Sequence, residues 1–379
     1  MPANSNYPGV YIQELPSGVR TIPGVQTSIT AFIGQIPKGP VNQPMHILSF
    51  ADFEKTFGTF GPLTVDQALG YAVRQFFLNG GNDAWIVRIP DAAADQDWRA
   101  ALAVLEAVDL FNLLVLPGLT EQVLQAEAAA YCEKRRAFLI LDAPGEITTP
   151  AAMKAYLESK ALPLSKNAAV YFPWVGVAEA AAAGGVRWCP PSGTIAGLMA
   201  RTDANRGVWK APAGTDAVLR GVQSLRCQLV DGENAELNSL GINCLRHFPI
   251  YGHVAWGSRT MVGADAMASD WKYIPVRRLA LFLEESLYPG TKWVVFEPND
   301  EPLRAQIRLN VGAFMHNLFR QGAFQGTTPK EAYFVKCDKE TTTQNDINLG
   351  IVNLFVGFAP LKPAEFTVIK IQQMAGQIQ

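Results

Sequence analysis

WRAALAVLEAVDLFNLLVLPGLTEQVLQAEAAAYCEKRRAFLILDAPGEITTPAAMKAYLESKALPLSKNAAVYF, residues Trp98 to Phe172, alternates helix-length segments with short apolar runs. A helix over Trp98–Ala107 precedes a strand at Leu113–Leu116, and a helix over Glu121–Lys134 precedes Phe138–Leu141. A third helix, Pro150–Ser159, precedes Ala168–Phe172. Strands that are apolar on both faces, each separated by one helix, predict a parallel, doubly wound sheet.

Toward the N-terminus the pattern continues. Thr27–Gly34 and Ala84–Ile89 (AWIVRI) read as strands. Ser49 is placed to cap a short helix, Phe50–Phe57, that Gly58 ends. Thr64 and Gln67 have capping-box spacing before a helix whose Leu69, Val73 and Phe76 share a face. Toward the C-terminus, Gly184–Gly207 is rich in Gly and Pro and reads as loop or crossover. A helix over Val276–Leu287 and a strand at Trp293–Phe296 follow. Asp300-Glu301-Pro302 then opens a helix running to Gln321. The strand Ala332–Cys337 precedes the last apolar stretch.

Both ends are apolar and extended, unlike the polar termini of most domains. Tyr7–Leu15 is YPGVYIQEL, and Ile351–Gln373 is IVNLFVGFAPLKPAEFTVIKIQQ, two strand-length runs about a Pro360–Pro363 connection. An isolated two-stranded hairpin is marginal in water, and open apolar edges pair with other chains. Strand exchange between copies is the expectation. Its carriers are Tyr7, Val10, Tyr11 and Ile12 in the first arm, and Val352, Leu354, Val356, Phe366, Val368, Ile369 and Ile371 in the second.

The 379 residues suit two domains, and 49% hydrophobic content supports a large core. Charged residues make up 17%, low for a soluble chain, as expected where partners cover much of the surface. A net charge of −2 excludes a globally basic nucleic-acid binder. Five cysteines at irregular spacing, with no CxxC pair, read as buried reduced thiols. The start MPANSNYPGV has neither a basic nor an apolar signal region, and no run of membrane-spanning length occurs.

Catalytic signals are sparse. No phosphate-binding loop, dinucleotide fingerprint or nucleophile elbow is present. Asp142 ends a strand, and Ser192 stands in a PPSG turn cluster; each is better read as a cap or turn residue than as a ligand or nucleophile. Cys244, His247 and His253 offer three ligands at an irregular spacing, short of a structural zinc set. No catalytic, metal or cofactor residue is therefore assigned. One electrostatic feature stands out: from Leu303 to Gln321 the helix carries Arg304, Arg308, Arg320 and His316 and no acid. This predicts a basic face that meets an acidic partner.

Seven stretches resemble contractile phage tail sheath proteins. They are YPGVYIQELPSGVRTIPGVQTSITAFIGQIPKGPVNQP (Tyr7–Pro44), LGYAVRQFFLNGG (Leu69–Gly81), PPSGTIAGLMARTDANRGVWKAPAG (Pro190–Gly214) and LNSLGINCLRHFPIYGHVAWGSRT (Leu237–Thr260). The closing third adds RRLALFLEESLYPGTKWVVFEPNDEPL (Arg277–Leu303), LFRQGAFQG (Leu318–Gly326) and YFVKCDKETTTQNDINLGIVNLFVGFAPLKPAEFTVIKI (Tyr333–Ile371). Only about residues 90–185 are generic. The compact length is similar to the sheaths of extracellular injection particles.

The resemblance implies a mixed α+β protein: an outer doubly wound α/β domain over 23–264, and an inner sheath domain over 265–379 with the N-terminal arm 1–22 and the C-terminal arm 345–379. It implies a homo-oligomer of hexameric rings in a helical sheath, with an inner tube protein, baseplate and terminator proteins and sheath paralogues as partners. No cofactor, nucleic acid or membrane insertion is expected. Contraction of a metastable array would drive the tube through an envelope. Arg304, Arg308 and Arg320 would then face the tube. Assembly is expected in the bacterial cytoplasm, and the mature location in a phage tail or tail-like particle. The alternatives are an α/β hydrolase using Asp142 or Ser192, and a static tube or capsid protein.

Overall fold

The computed structural model describes residues 20–58, 68–91, 93–179 and 182–365. These form two compact units. The larger comprises residues 24–285 with 360–365, the smaller 20–23 with 286–359. The dividing point lies inside a helix, between Glu285 and Ser286, rather than at the expected 264/265. Packing explains the difference: Ile274 and Leu281 of that helix are buried in the larger unit's core.

The larger unit is built on β1 (Thr30–Gln35), β2 (Met45–Ile47), β3 (Ala84–Ile89), β4 (Leu113–Val115), β5 (Phe138–Asp142) and β6 (Ala168–Phe172). A small sheet, β7 (Val175–Ala178), β8 (Val186–Cys189) and β9 (Val222–Leu225), follows, and then β10 (Asn243–Phe248) and β11 (Gly252–Ala255). The main sheet has eight strands in the order β11-β10-β6-β5-β4-β1-β3-β2. The six inner strands run parallel; β2 and β11 close the edges antiparallel.

The period of two along each strand builds two cores. Phe32, Phe138, Ile140 and Tyr171 point to one face, and Ile33, Leu139, Leu141 and Val170 to the other. Helices α1 (Phe50–Phe57) and α2 (Ala68–Asn79) join the first core, whereas α3 (Asp95–Val104), α4 (Gln122–Arg135) and α5 (Pro150–Glu158) join the second. Ser49 caps α1 as expected, its hydroxyl accepting from Asp52 N–H. The capping pair Thr64 and Gln67 lies outside the described residues.

The Gly/Pro-rich stretch is not a loop. It contains β8 and helix α6 (Ser192–Arg206), whose first nine residues are all buried. The glycines that suggest a loop are there for contact: a Cβ on Gly193 would sit 2.4 Å from the Ala72 carbonyl oxygen, and one on Gly197 2.4 Å from that of Phe76. They let the α6 and α2 backbones approach closely. Helix α7 (Asp231–Ser239) precedes β10, and α8 (Ile274–Gly290) spans the dividing point.

The smaller unit centres on α9 (Glu301–Arg320), opened by Asp300, whose side chain accepts from Leu303 N–H. Leu303, Ile307, Val311, Phe314, Met315 and Leu318 form its buried stripe. Helix α10 (Pro329–Ala332), β12 (Tyr333–Lys336), α11 (Gln344–Asn348) and β13 (Phe355–Phe358) complete it. Trp293–Phe296 is not a strand. Lys292–Val294 is a single 3-10 turn, and Val295 and Phe296 face solvent. A four-residue apolar run carries no period that separates strand from turn.

Candidate assembly interface

The sequence's chemical candidates resolve as structural groups. Asp142 Oδ2 accepts from Ser192 Oγ at 2.6 Å and from Gly118 N–H at 3.2 Å, and Oδ1 accepts from Ser192 N–H at 3.1 Å. The carboxylate closes the N-terminus of α6, where helix-end donors favour an anion. Burial pushes its pKa up to about 6, and the Ser192 and Gly118 bonds pull the other way. Ser192 itself is fully buried and therefore out of reach of a substrate. His247 and His253 pair across the β10–β11 hairpin with ring centroids 4.7 Å apart, and His253 Nε2 bonds the Gln223 carbonyl at 3.0 Å. Cys244 is buried in the core. Among the described residues no cluster of His, Cys, Asp and Glu could hold a metal.

Of the strand-exchange residues, only Val352, Leu354 and Val356 are described; Tyr7, Val10, Tyr11, Ile12, Phe366, Val368, Ile369 and Ile371 lie outside. Val356 is in β13, directly opposite Val335 of β12. Val352 and Leu354 precede the strand. The described part of the expected C-terminal hairpin is thus a single strand, paired with β12. These two strands form a sheet of their own, so among the described residues each has a free edge. Phe334 and Phe355 on it are exposed.

The uniformly basic helix needs correction. The helix starts at Glu301, and that carboxylate binds Arg304 Nε at 3.3 Å and Arg308 Nη2 at 2.7 Å. Arg304 is only 6% exposed and also donates to Asn299 Oδ1 at 3.0 Å. Arg308 donates a further bond to the Cys337 carbonyl. Arg304 is therefore an internal tie, not a surface cation. Arg320 is exposed and, among the described residues, has no carboxylate partner. His316 is also exposed, its Nδ1 3.3 Å from the Tyr333 hydroxyl.

Four features escape sequence reasoning. Phe296 is wholly exposed at a φ of +72°, and Ile250 at the β10–β11 turn is 86% exposed. A cleft of about 830 Å³ lies beside the carboxyl ends of β4 and β5, with Gly118, Pro144, Trp174, Trp188 and Arg226 among its walls. The fully buried Arg259 meets Glu365 across 106 positions of sequence. Of these, only the PIYG turn at Pro249–Gly252 leaves a local signal.

In this chain a doubly wound sheet is followed by a small α+β unit whose two strands have open edges among the described residues. Residues 91–261 match the phage tail sheath protein central domain, and residues 267–374 the phage tail sheath C-terminal domain. The chain belongs to the phage tail sheath family. It is 32% identical over 180 residues to the tail sheath protein of Vibrio phage KVP40, a match covering 47% of this chain and 25% of that one. It resembles a chain of the anti-feeding prophage baseplate with a TM-score of 0.80 and 32% identity, covering 98% of this chain and 100% of that one. It also resembles a chain of the PVC sheath complex of an extracellular contractile injection system in the contracted state. There the TM-score is 0.81 and the identity 29%, over 97% and 98% of the two chains.

Proposed function

We propose that this chain is the structural subunit of a contractile sheath. Copies stack as hexameric rings around an inner tube, joined by exchanged arms, and contraction drives the tube through a target envelope. The observation that carries this reading is the near full-length likeness to sheath-particle chains, one of them in a contracted sheath. The free edges of β12 and β13 support it, because an added strand gains backbone hydrogen bonds worth about 1 kcal/mol each.

The smaller unit is the part that meets the tube, and the two arms meet neighbouring copies. Arg320 and the exposed part of Arg308 are its tube-facing cations. The larger unit is the outer domain. No catalytic step is assigned to it, since Asp142 and Ser192 are consumed in capping α6. The subunit assembles in the producing cell together with baseplate, terminator and paralogous sheath subunits, and ends in a tail-like particle.

The test is electron microscopy of purified protein with and without residues 1–15. The full chain should form striated tubes in the presence of its tube protein. The truncated chain should remain folded and unassembled. Tubes of normal length from the truncated chain would refute strand exchange.

A further inference from the structure

The chain leaves the smaller unit at Ala359, and residues 360–365 pack with the larger one. The last described residue, Glu365, ends in a side-chain cluster of unusual completeness. Its Oε1 accepts from Arg259 Nε at 2.8 Å, and its Oε2 from Arg259 Nη2 at 2.7 Å. The Tyr273 hydroxyl donates to Oε2 at 3.2 Å, and Lys272 Nζ stands 4.0 Å away. The other arm of the guanidinium, Nη1, donates to Asp265 Oδ1 at 3.0 Å and to the Gly263 carbonyl at 3.3 Å. Two cations thus face two carboxylates, and the planar fork is used on both sides.

Arg259 is only 1% exposed, and its backbone is tied to the main sheet. Its N–H donates to Asn243 Oδ1 at 2.6 Å. The Asn243 amide donates to the Arg259 carbonyl at 2.7 Å and to Val170 of β6 at 3.0 Å. A continuous chain of short polar contacts therefore runs from Glu365 through Arg259 and Asn243 of β10 to β6. Burial pushes the Glu365 carboxyl up, but the Arg259 hydrogen bonds and charge, with Lys272 and Tyr273, outweigh it and hold it below the ordinary glutamate range.

We infer that Arg259 is the positioning residue of the C-terminal arm: by gripping Glu365 it fixes the point from which residues 366–379 depart, and it passes load on that arm into the central sheet. The inference rests on the reading that the arm is exchanged between copies. A buried guanidinium without its carboxylate is costly, so the strap is held in one place rather than sliding. The strand-exchange register of every neighbour depends on that fixed origin. The grip also joins segments from the two family-model regions, Arg259 from the central domain and Glu365 from the C-terminal domain.

The experiment uses the full chain with its tube protein and compares wild type, Glu365→Ala, Glu365→Asp, Arg259→Lys and a chain ending at Glu365. Each is scored for pelletable sheath and for thermal unfolding of the unassembled protein. Glu365→Ala should lose sheath about tenfold or more, since each 1.4 kcal/mol of contact energy is a factor of ten. Its body should unfold within a few degrees of wild type, because Arg259, unlike Arg278 in Asp203→Ala, keeps a carboxylate partner in Asp265 as well as the Gly263 carbonyl. Glu365→Asp should recover part of the yield, and Arg259→Lys, which keeps the charge but loses the fork, should fall between. Wild-type yield from Glu365→Ala, with the chain ending at Glu365 inactive, would overturn the grip and leave strand exchange standing. Wild-type yield from the chain ending at Glu365 would instead overturn exchange of this arm. Equal loss in Glu365→Ala and Glu365→Asp, with lowered body stability in both, would make the contact merely structural and also overturn the proposal.

Discussion

Removing Asp203 from the larger unit should destabilise it by about 3–5 kcal/mol, the cost of stranding one member of a buried ion pair. The pair is well placed for this. Arg278 of α8 grips Asp203 of α6 through Nη1 at 2.9 Å and Nη2 at 2.6 Å, and the two side chains are 4% and 5% exposed. Thr27 completes the set, its hydroxyl donating to Asp203 Oδ2 at 2.7 Å and its carbonyl accepting from Arg278 at 2.8 Å. In Asp203→Ala the guanidinium keeps, among the described residues, only the Thr27 carbonyl as an acceptor. Arg278→Met strands the carboxylate in the same way. The double variant removes both charges and replaces them with apolar groups, so it should cost less than either single change. At about 2–4 °C per kcal/mol for a unit of this size, the single variants should lose roughly 6–20 °C in melting temperature. Amide hydrogen exchange at β4–β6 of unassembled protein reads this unit without interference from the other. A single-variant cost below about 1 kcal/mol, or simple additivity in the double-mutant cycle, would refute the reasoning.

Asp142 gives a pH prediction. Its carboxyl is raised from 3.8 to about 6 by burial, so the folded state binds the proton more tightly than the unfolded one. The stabilisation, on the order of 3 kcal/mol at 1.36 kcal/mol per pH unit, is fully present below the unfolded value and lost as pH rises through about 6. Unfolding of wild type between pH 4 and 7 should show this slope and Asp142→Asn should not; identical slopes would exclude the assignment. On α9, Arg320→Glu should weaken co-sedimentation with tube, more so at low salt, and leave the melting temperature unchanged. Arg304→Glu should fail at folding instead, and an assembly-competent Arg304→Glu would show that its burial is not structural.

The doubly wound sheet was legible because its signal is local and repeated. FLILD at β5 and AAVYF at β6 are buried at every position, and the one helix between them, α5, fixes the direction of the strands. Where sequence reading failed, a residue type served packing rather than its usual local role. Gly193 and Gly197 look like loop residues but are the contact surface of a buried helix. The basic face on α9 looks uniform in the sequence because Glu301 falls in the first turn, just ahead of Leu303–Gln321.

The assembly features are harder to read for a further reason. A core phenylalanine and a surface phenylalanine look alike in the sequence; only exposure separates Phe314, buried in α9, from Phe296 and Phe355 in the same unit. Arg259 and Glu365 sit in stretches with no charge pattern of their own, so only the fold brings their opposite charges together. On the proposed reading, the contact surface is spread over strand edges, exposed apolar groups and long-range ties, none of which has a local sequence pattern.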